Sequence, residues 1–357
     1  HANFLAQVKA LQSLYNIRPG ERDLATFPLF ALYAPAMGMT SIVPDMDFTR
    51  PGSVDPERVF HAIRQYDATT MFGSPALLDR VSREGVKNSI TLPTLKRVLS
   101  AGAPVSPVII ERFSKLLVGD AKIHTPYGAT ESLPVSSIAG NEVLRDTRHA
   151  TNAGKGICVG TPVAGLEIAI IAITHKPVPH WDQSLTLEPC QTGEIVVSGP
   201  QVSSAYYNRP EATALAKIYA DDGRIYHRMG DTGYFDEQGR LWFCGRKDHC
   251  VNYNDQTYFS ICCEGVFNMH EKVYRTALIG LKRQNFITPA LCVEIEPEYQ
   301  HTDKMTLKTE LLALGARYQH TRAIGDIFFH PGFPVDIRHN AKIDRDALAR
   351  WAVRQKA

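Results

Sequence analysis

The sequence predicts an α/β protein: a mostly parallel, helix-covered sheet plus a small antiparallel β unit, followed by a small C-terminal α+β domain. Three observations predict it. Up to about residue 150, short apolar strand runs alternate with helix-patterned segments through glycine-containing loops, an alternation that implies a parallel sheet with crossover helices. From about Gly154 the texture changes to short strands between turn residues. Beyond Gly245-Arg246-Lys247-Asp248 helix and strand patterns mix. At 357 residues the chain has room for two or three domains. The expected divisions are 1–150 and 151–247, both parts of one large domain, and 248–357, a small mobile one.

Each element follows from its residues. Glu57 to Tyr66 places Val59, Phe60 and Ile63 on one helical face. Thr69–Phe72 is a strand, and Gly73-Ser74-Pro75 opens the next helix with Pro near its first position. Leu95–Leu99 is another strand, followed by Ser100-Ala101-Gly102-Ala103-Pro104 and a helix around Val108–Phe113. Ala121–Thr125 reads as a further strand, leaving Tyr127–Glu131 at its carboxyl end, where open α/β sheets bind ligands. In the second stretch, Gly160–Val163, Leu166–Ile171, Gly193–Val197 and Leu241–Phe243 read as strands, Asp236–Arg240 as a hairpin turn, and Pro210–Ala216 as a helix.

Bulk properties exclude several classes. Hydrophobic residues make up 44% and charged residues 21%, the composition of a globular protein with a core, and the net charge of +2 selects neither nucleic acid nor an anionic membrane. Leu24 to Pro44 carries no charge and is long enough to span a bilayer, but Pro28, Pro35 and Pro44 interrupt it. It reads as a buried strand–helix segment. Seven cysteines without metal-type spacing read as reduced thiols in a reducing compartment, which makes the expected location cytoplasmic.

The chemistry-bearing stretch is Tyr127-Gly128-Ala129-Thr130-Glu131. It offers a ring to stack, a glycine for close backbone approach, a hydroxyl for a phosphate and a carboxylate for a divalent cation. Five further segments accompany it in order: Ser100–Pro104, Gly193–Gly199, Tyr226–Gly233, Gly245–Asp248 and Asn340–Asp344. Taken singly, Asp231 reads as a turn aspartate, Arg246 and Asp248 as a surface ion pair, and Lys342 as an exposed lysine. As an ordered set they read as a nucleotide site.

The series resembles the adenylate-forming superfamily of acyl-CoA synthetases, peptide-synthetase adenylation domains and luciferases, along essentially the whole chain. The resemblance implies ATP/AMP and Mg²⁺ as cofactors. It implies that Ser100, Ala101, Gly102, Ala103 and Pro104 line the adenine and that Tyr127 and Gly128 back the base. Thr130 would bond the α-phosphate, Glu131 would bind Mg²⁺, and Asp231 and Arg246 would hold the ribose. Asp248 falls at the family's hinge, and Lys342 at the lysine that bridges carboxylate and α-phosphate. Lys342 and Mg²⁺ would neutralise the repulsion between a carboxylate and the phosphate it attacks.

Three departures sharpen the expectation. The family's glycine-rich triphosphate loop is absent from this sequence, and His1–Val8 resembles the helix that follows that loop, as in a chain truncated just downstream of it. Such a chain is expected to keep parts of an AMP site and to adenylate poorly. Ala31 follows Phe27-Pro28-Leu29-Phe30 where relatives often carry His, and Leu32–Met39 is apolar and sulfur-rich, suited to an alkyl chain or to core packing. No glycine lies between Gly245 and Gly265, where thioester-forming relatives admit the pantetheine arm. Tyr127–Pro134, Leu241–Lys247, Cys263–Phe267 and Phe333–Lys342 resemble one subgroup, the β-lactone synthetases of bacterial long-chain olefin biosynthesis. That resemblance implies adenylation of a long-chain β-hydroxy, α-alkyl fatty acid and closure by the substrate's own hydroxyl, which needs no CoA site. It also implies neighbouring olefin-pathway enzymes as partners. A long-chain fatty acid–CoA ligase and a non-catalytic AMP-binding module remain the alternatives.

Overall fold

The computed structural model describes residues 1–283, 286–335 and 342–356. Its strands are β1 Arg22–Ala25, β2 Thr40–Ile42, β3 Thr70–Phe72, β4 Arg97–Leu99, β5 Lys122–Ala129, β6 Ser132–Ala139, β7 Ile157–Pro162, β8 Glu167–Ile171 and β9 Gly193–Ser198. They continue as β10 Lys217–Tyr219, β11 Ile225–Phe235, β12 Leu241–Arg246, β13 Val251–Tyr253, β14 Gln256–Tyr258, β15 Val273–Arg283, β16 Phe286–Ile295 and β17 Asp326–Phe329. The helices are α1 Ala2–Leu14, α2 Pro28–Ala36, α3 Pro56–Gln65, α4 Pro75–Lys87, α5 Pro107–Ser114, the short α6 Gly140–Glu142 and α7 Arg148–Asn152, then α8 Pro210–Ala216, α9 Ser260–Phe267, α10 Lys304–Gly315 and α11 Arg345–Lys356.

Three of the early helices start on the same local device. Asp55, Ser74 and Ser106 each accept a hydrogen bond from a backbone N–H of the first turn, and each is followed by proline at the first helical position. The cap satisfies an otherwise orphaned donor, and proline gives up an N–H that had no intrahelical partner. Successive strand residues then feed opposite faces. Met71 and Val98 point into the core under α3, α4 and α5, with Val59, Phe60, Ile63, Leu78 and Phe113. Phe72 and Leu99 point the other way, into a cluster with Val8 and Leu11 of α1 and Phe30 and Tyr33 of α2. Each such buried apolar side chain stabilises the fold by roughly 1.5–3 kcal/mol.

Strands β2-β1-β3-β4-β5 are parallel, as the alternation predicts. β6 runs antiparallel to β5 and hands the sheet on through β7, β12, β11 and β9 to β8, all antiparallel. The two textures therefore share one sheet of twelve strands, eleven in a continuous order and β10 paired to β11 beside it. Sequence patterning shows strand type but not that an antiparallel hairpin converts one half into the other. The segment around Leu24–Pro44 is β1, α2 and β2, with no helix among the described residues long and apolar enough to cross a membrane.

The last stretch begins with the β13–β14 hairpin, whose turn residues Asn254 and Asp255 both have positive φ. β15, β16 and β17 form a second sheet packed by α9, α10 and α11. It meets the large sheet at α4, where Arg83 bridges Asp79 (3.2 Å) and Glu296 (3.1 Å).

Candidate active site

One expectation is corrected at the centre of the site. β5 does not stop at Thr125 but runs to Ala129, so Tyr127, Gly128 and Ala129 are strand residues and Thr130–Glu131 is the two-residue turn into β6. The pairing with β6 carries the strand on, and its register shifts between Tyr127 and Ala129. Gly128 is required there: an added Cβ would lie 2.6 Å from the Ser132 carbonyl oxygen.

Asp231 is likewise not a turn residue. It lies within β11, directly opposite Arg246 of β12, and is almost wholly buried. The Tyr127 hydroxyl donates to its Oδ2 at 2.7 Å, and the Arg246 guanidinium donates to its Oδ1 at 2.9 Å and to the Met229 carbonyl at 3.0 Å. Gly230, with φ of +67°, leaves room for that guanidinium, since a Cβ there would sit 3.0 Å from it. Burial pushes the Asp231 carboxyl above its ordinary range, against Arg246, Tyr127 and the charge of Lys342. Lys342 is exposed, next to the Val335–Ile343 bridge, and its field reaches Asp231 across the junction of the two sheets. Its motif neighbours Asn340 and Ala341 lie outside the described residues.

The remaining expected residues fall at the same sheet end or just beyond it. Ser100 closes β4, its N–H donating to the His124 carbonyl of β5 at 2.9 Å. Its buried hydroxyl has no partner, an orphaned donor suited to a ligand. Ala101 and Ala103 are half-buried, and Gly102 and Pro104 are exposed. Asp248 does not pair with Arg246: it is exposed, 3.7 Å from the His175 ring, and takes no part in the carboxylate cluster. In the apolar stretch, Tyr33, Met37 and Met39 are packed into the core around Phe30, which stacks on Phe72 at 3.8 Å.

Sequence reasoning missed the surroundings of Glu131. The Tyr206 hydroxyl donates to Glu131 Oε1 at 2.7 Å, and the Ser203 N–H donates to the Glu131 carbonyl at 2.8 Å. Gln7 of α1 donates to the Thr130 carbonyl at 3.1 Å, so the first helix also holds the turn. Burial opposes ionisation of Glu131, but the Tyr206 hydrogen bond, its own N–H and the charge of Lys217 outweigh it and hold the carboxyl below its ordinary range. Lys217 and His227 face each other in the β10–β11 pair. A lone lysine after a helix and a histidine in a strand carried no sequence signal of this placement.

The donor set suits particular ligands. An ionised carboxylate with one oxygen already bonded, next to an exposed threonine hydroxyl, fits a hard cation that takes its other ligands from phosphate and water. No group of three or more His, Cys, Asp or Glu able to hold a metal alone occurs among the described residues. Asp231 keeps lone pairs for two further donors, as a vicinal diol supplies.

A family model described as AMP-binding enzyme matches residues 1–207. The chain is 45% identical over 360 aligned residues to the olefin beta-lactone synthetase of Xanthomonas campestris pv. campestris, covering 100% of this chain and 64% of that protein. It is 47% identical to the olefin beta-lactone synthetase of Stenotrophomonas maltophilia, covering 99% of this chain and 63% of that one. The chain thus spans less than two thirds of the length of these relatives. Among solved structures, the amide bond synthetase McbA from Marinactinospora thermotolerans superimposes with a TM-score of 0.78 at 22% identity, covering 98% of this chain and 66% of that one, a likeness of fold.

Proposed function

The chain belongs to the AMP-binding enzyme family, and from that premise we propose that it serves ATP-dependent adenylation of a long-chain β-hydroxy, α-alkyl fatty acid, followed by intramolecular closure to a β-lactone with release of AMP, in olefin biosynthesis. The observation that carries the reading is the 45% and 47% identity, sustained along the chain, to two proteins of that name.

In this reading Ser100–Pro104 line the adenine and Tyr127 backs the base while its hydroxyl fixes Asp231. Asp231 and Arg246 receive the ribose hydroxyls, the second donor pair that the carboxylate can accept. Thr130 donates to the α-phosphate from the hairpin turn. Glu131 holds Mg²⁺, which when bound offsets the charge of the phosphates. Lys342 reaches in from the small domain to the attacking carboxylate and the α-phosphate, and residues 248–357 move about Asp248 to bring it there. The carboxylate oxygen bonds to the α-phosphorus as the bond to the bridging oxygen of the β-phosphate breaks and pyrophosphate leaves. The substrate hydroxyl then bonds to the acyl carbon as the acyl–phosphate bond breaks and AMP leaves, with the proton released. A tethered nucleophile needs only a held conformer. All seven cysteines are free, which supports a cytoplasmic location, beside enzymes of the same pathway.

The test is product analysis of the full-length protein with ATP, Mg²⁺ and a β-hydroxy acid, with and without CoA. β-Lactone and AMP without CoA are expected. A CoA-dependent thioester as main product overturns the reading in favour of a long-chain acyl-CoA ligase.

A further inference from the structure

Lys217 is a charged group that the proposed chemistry leaves unused. It has no exposed surface. Its ammonium donates to the carbonyl of Ser203 and, at 3.2 Å, to the Ser203 hydroxyl, both neutral acceptors. A buried ammonium without an offsetting anion costs several kcal/mol. No carboxylate among the described residues is in ion-pair contact with it, and the carboxylate whose field reaches it is Glu131. The link is continuous: Lys217 holds Ser203, whose N–H holds the Glu131 backbone at 2.8 Å. The Tyr206 ring lies 5.9 Å from the ammonium, and its hydroxyl holds the Glu131 side chain at 2.7 Å. His227, opposite Lys217, adds no second positive charge. Burial and the Lys217 ammonium push its imidazole down to about 4, and its Nδ1 lies 3.2 Å from the Ala216 carbonyl.

We propose that Lys217 is a built-in counter-cation for Glu131, which discourages a free divalent cation from that carboxylate and makes metal entry depend on the phosphate charge a nucleotide brings. The inference rests on Glu131 being the metal ligand of the proposed function. One carboxylate with one ammonium linked to it through Ser203 and Tyr206 leaves no net charge for an incoming dication, so the metal gains little from Glu131 alone. Phosphate oxygens restore the negative balance, and metal and nucleotide then bind together. The same ammonium, fixed through Ser203, keeps the Thr130–Glu131 turn in place while the site is empty of charge partners. Lys217 is therefore a positioning residue that acts through Glu131.

Mn²⁺ binding to the full chain, followed by electron paramagnetic resonance with and without AMP, tests this. Lys217→Met and Lys217→Gln, the second keeping donors for Ser203, should tighten nucleotide-free Mn²⁺ binding about tenfold or more, the least expected for removing a unit charge within about 10 Å of a dication at an effective dielectric near 20. Lys217→Arg should leave it weak, and AMP should narrow the gap between wild type and the neutral variants. Glu131→Gln should remove the site in every background. Equal Mn²⁺ affinity in wild type and both neutral variants, with Glu131→Gln still abolishing binding, overturns the counter-cation and spares the metal ligand. Unchanged binding in Glu131→Gln overturns the metal ligand itself.

Discussion

Two buried carboxylates on neighbouring strands of one sheet have opposite surroundings. Glu194 of β9, fully buried, takes the Arg228 guanidinium on Oε2 at 2.6 Å and the Lys247 ammonium on Oε1 at 2.9 Å. Further donors of those cations go to the carbonyls of Thr174, Lys176 and Leu215, while the buried Arg228 Nε–H has no partner. Asp231 of β11 lies beside Thr232, the residue paired with Glu194, yet its cation Arg246 is half exposed and its other partner is a phenol. In the first network both carboxylate oxygens are taken by cations of the same protein, so it serves to hold strands and loop together. The second is open on one side, with acceptor capacity left over. A buried charge is thus read by where its spare hydrogen bonds point, not by its depth.

The sharpest way to break that comparison is Glu194→Gln. Removing one partner leaves the buried Arg228 and the partly buried Lys247 without their anion, for an expected loss of about 3–5 kcal/mol in urea unfolding. AMP affinity of the folded protein should be unchanged. A loss below about 1 kcal/mol would show that the closed network does not hold the sheet.

Lys342→Ala sets an exposed lysine against the partly buried, ion-paired Lys247. Acyl-adenylate formation by the full-length protein should fall by about 10²–10³, the scale for removing one donor to developing charge. The unfolding midpoint should not move, because Lys342 is exposed. Unchanged adenylate formation would remove Lys342 from the mechanism.

The same contrast explains what the sequence made legible. Parallel strands and the ordered motif segments are local patterns, and they could be read, as could the helix start at Gly73-Ser74-Pro75, where Ser74 caps α4. Partners that meet only through the fold could not. Tyr127 and Asp231 are 104 residues apart, Tyr206 and Glu131 75, and Glu194 and Lys247 53. Lys217 was invisible for a further reason: a lysine is normally solvated, and only the β10–β11 pairing takes this one out of water. The end of β5 was misplaced because the strand pattern stops at Thr125, whereas the ladder to β6 continues through a glycine.

The smallest expected effect is the most discriminating. Burial holds the Asp231 carboxyl above its ordinary range, with Arg246, Tyr127 and Lys342 pulling it back. A carboxyl raised in the folded state binds its proton more tightly there than when unfolded. Ionising it as pH rises through the folded value therefore costs stability, and the penalty is absent below the unfolded value of about 3.9. Asparagine carries no such penalty, so Asp231→Asn should unfold within about 1 kcal/mol of wild type at pH 7, unlike Glu194→Gln. AMP binding should weaken by about 1.5–3 kcal/mol, because hydrogen bonds from the ribose to a charged acceptor are lost. In wild type, AMP affinity should also decline as pH falls toward the raised carboxyl value, and the asparagine variant should flatten that limb. Calorimetric titration across pH, paired with urea unfolding, separates the outcomes. A stability loss like that of Glu194→Gln with intact AMP binding would move Asp231 into the closed class and leave the ribose without its acceptor.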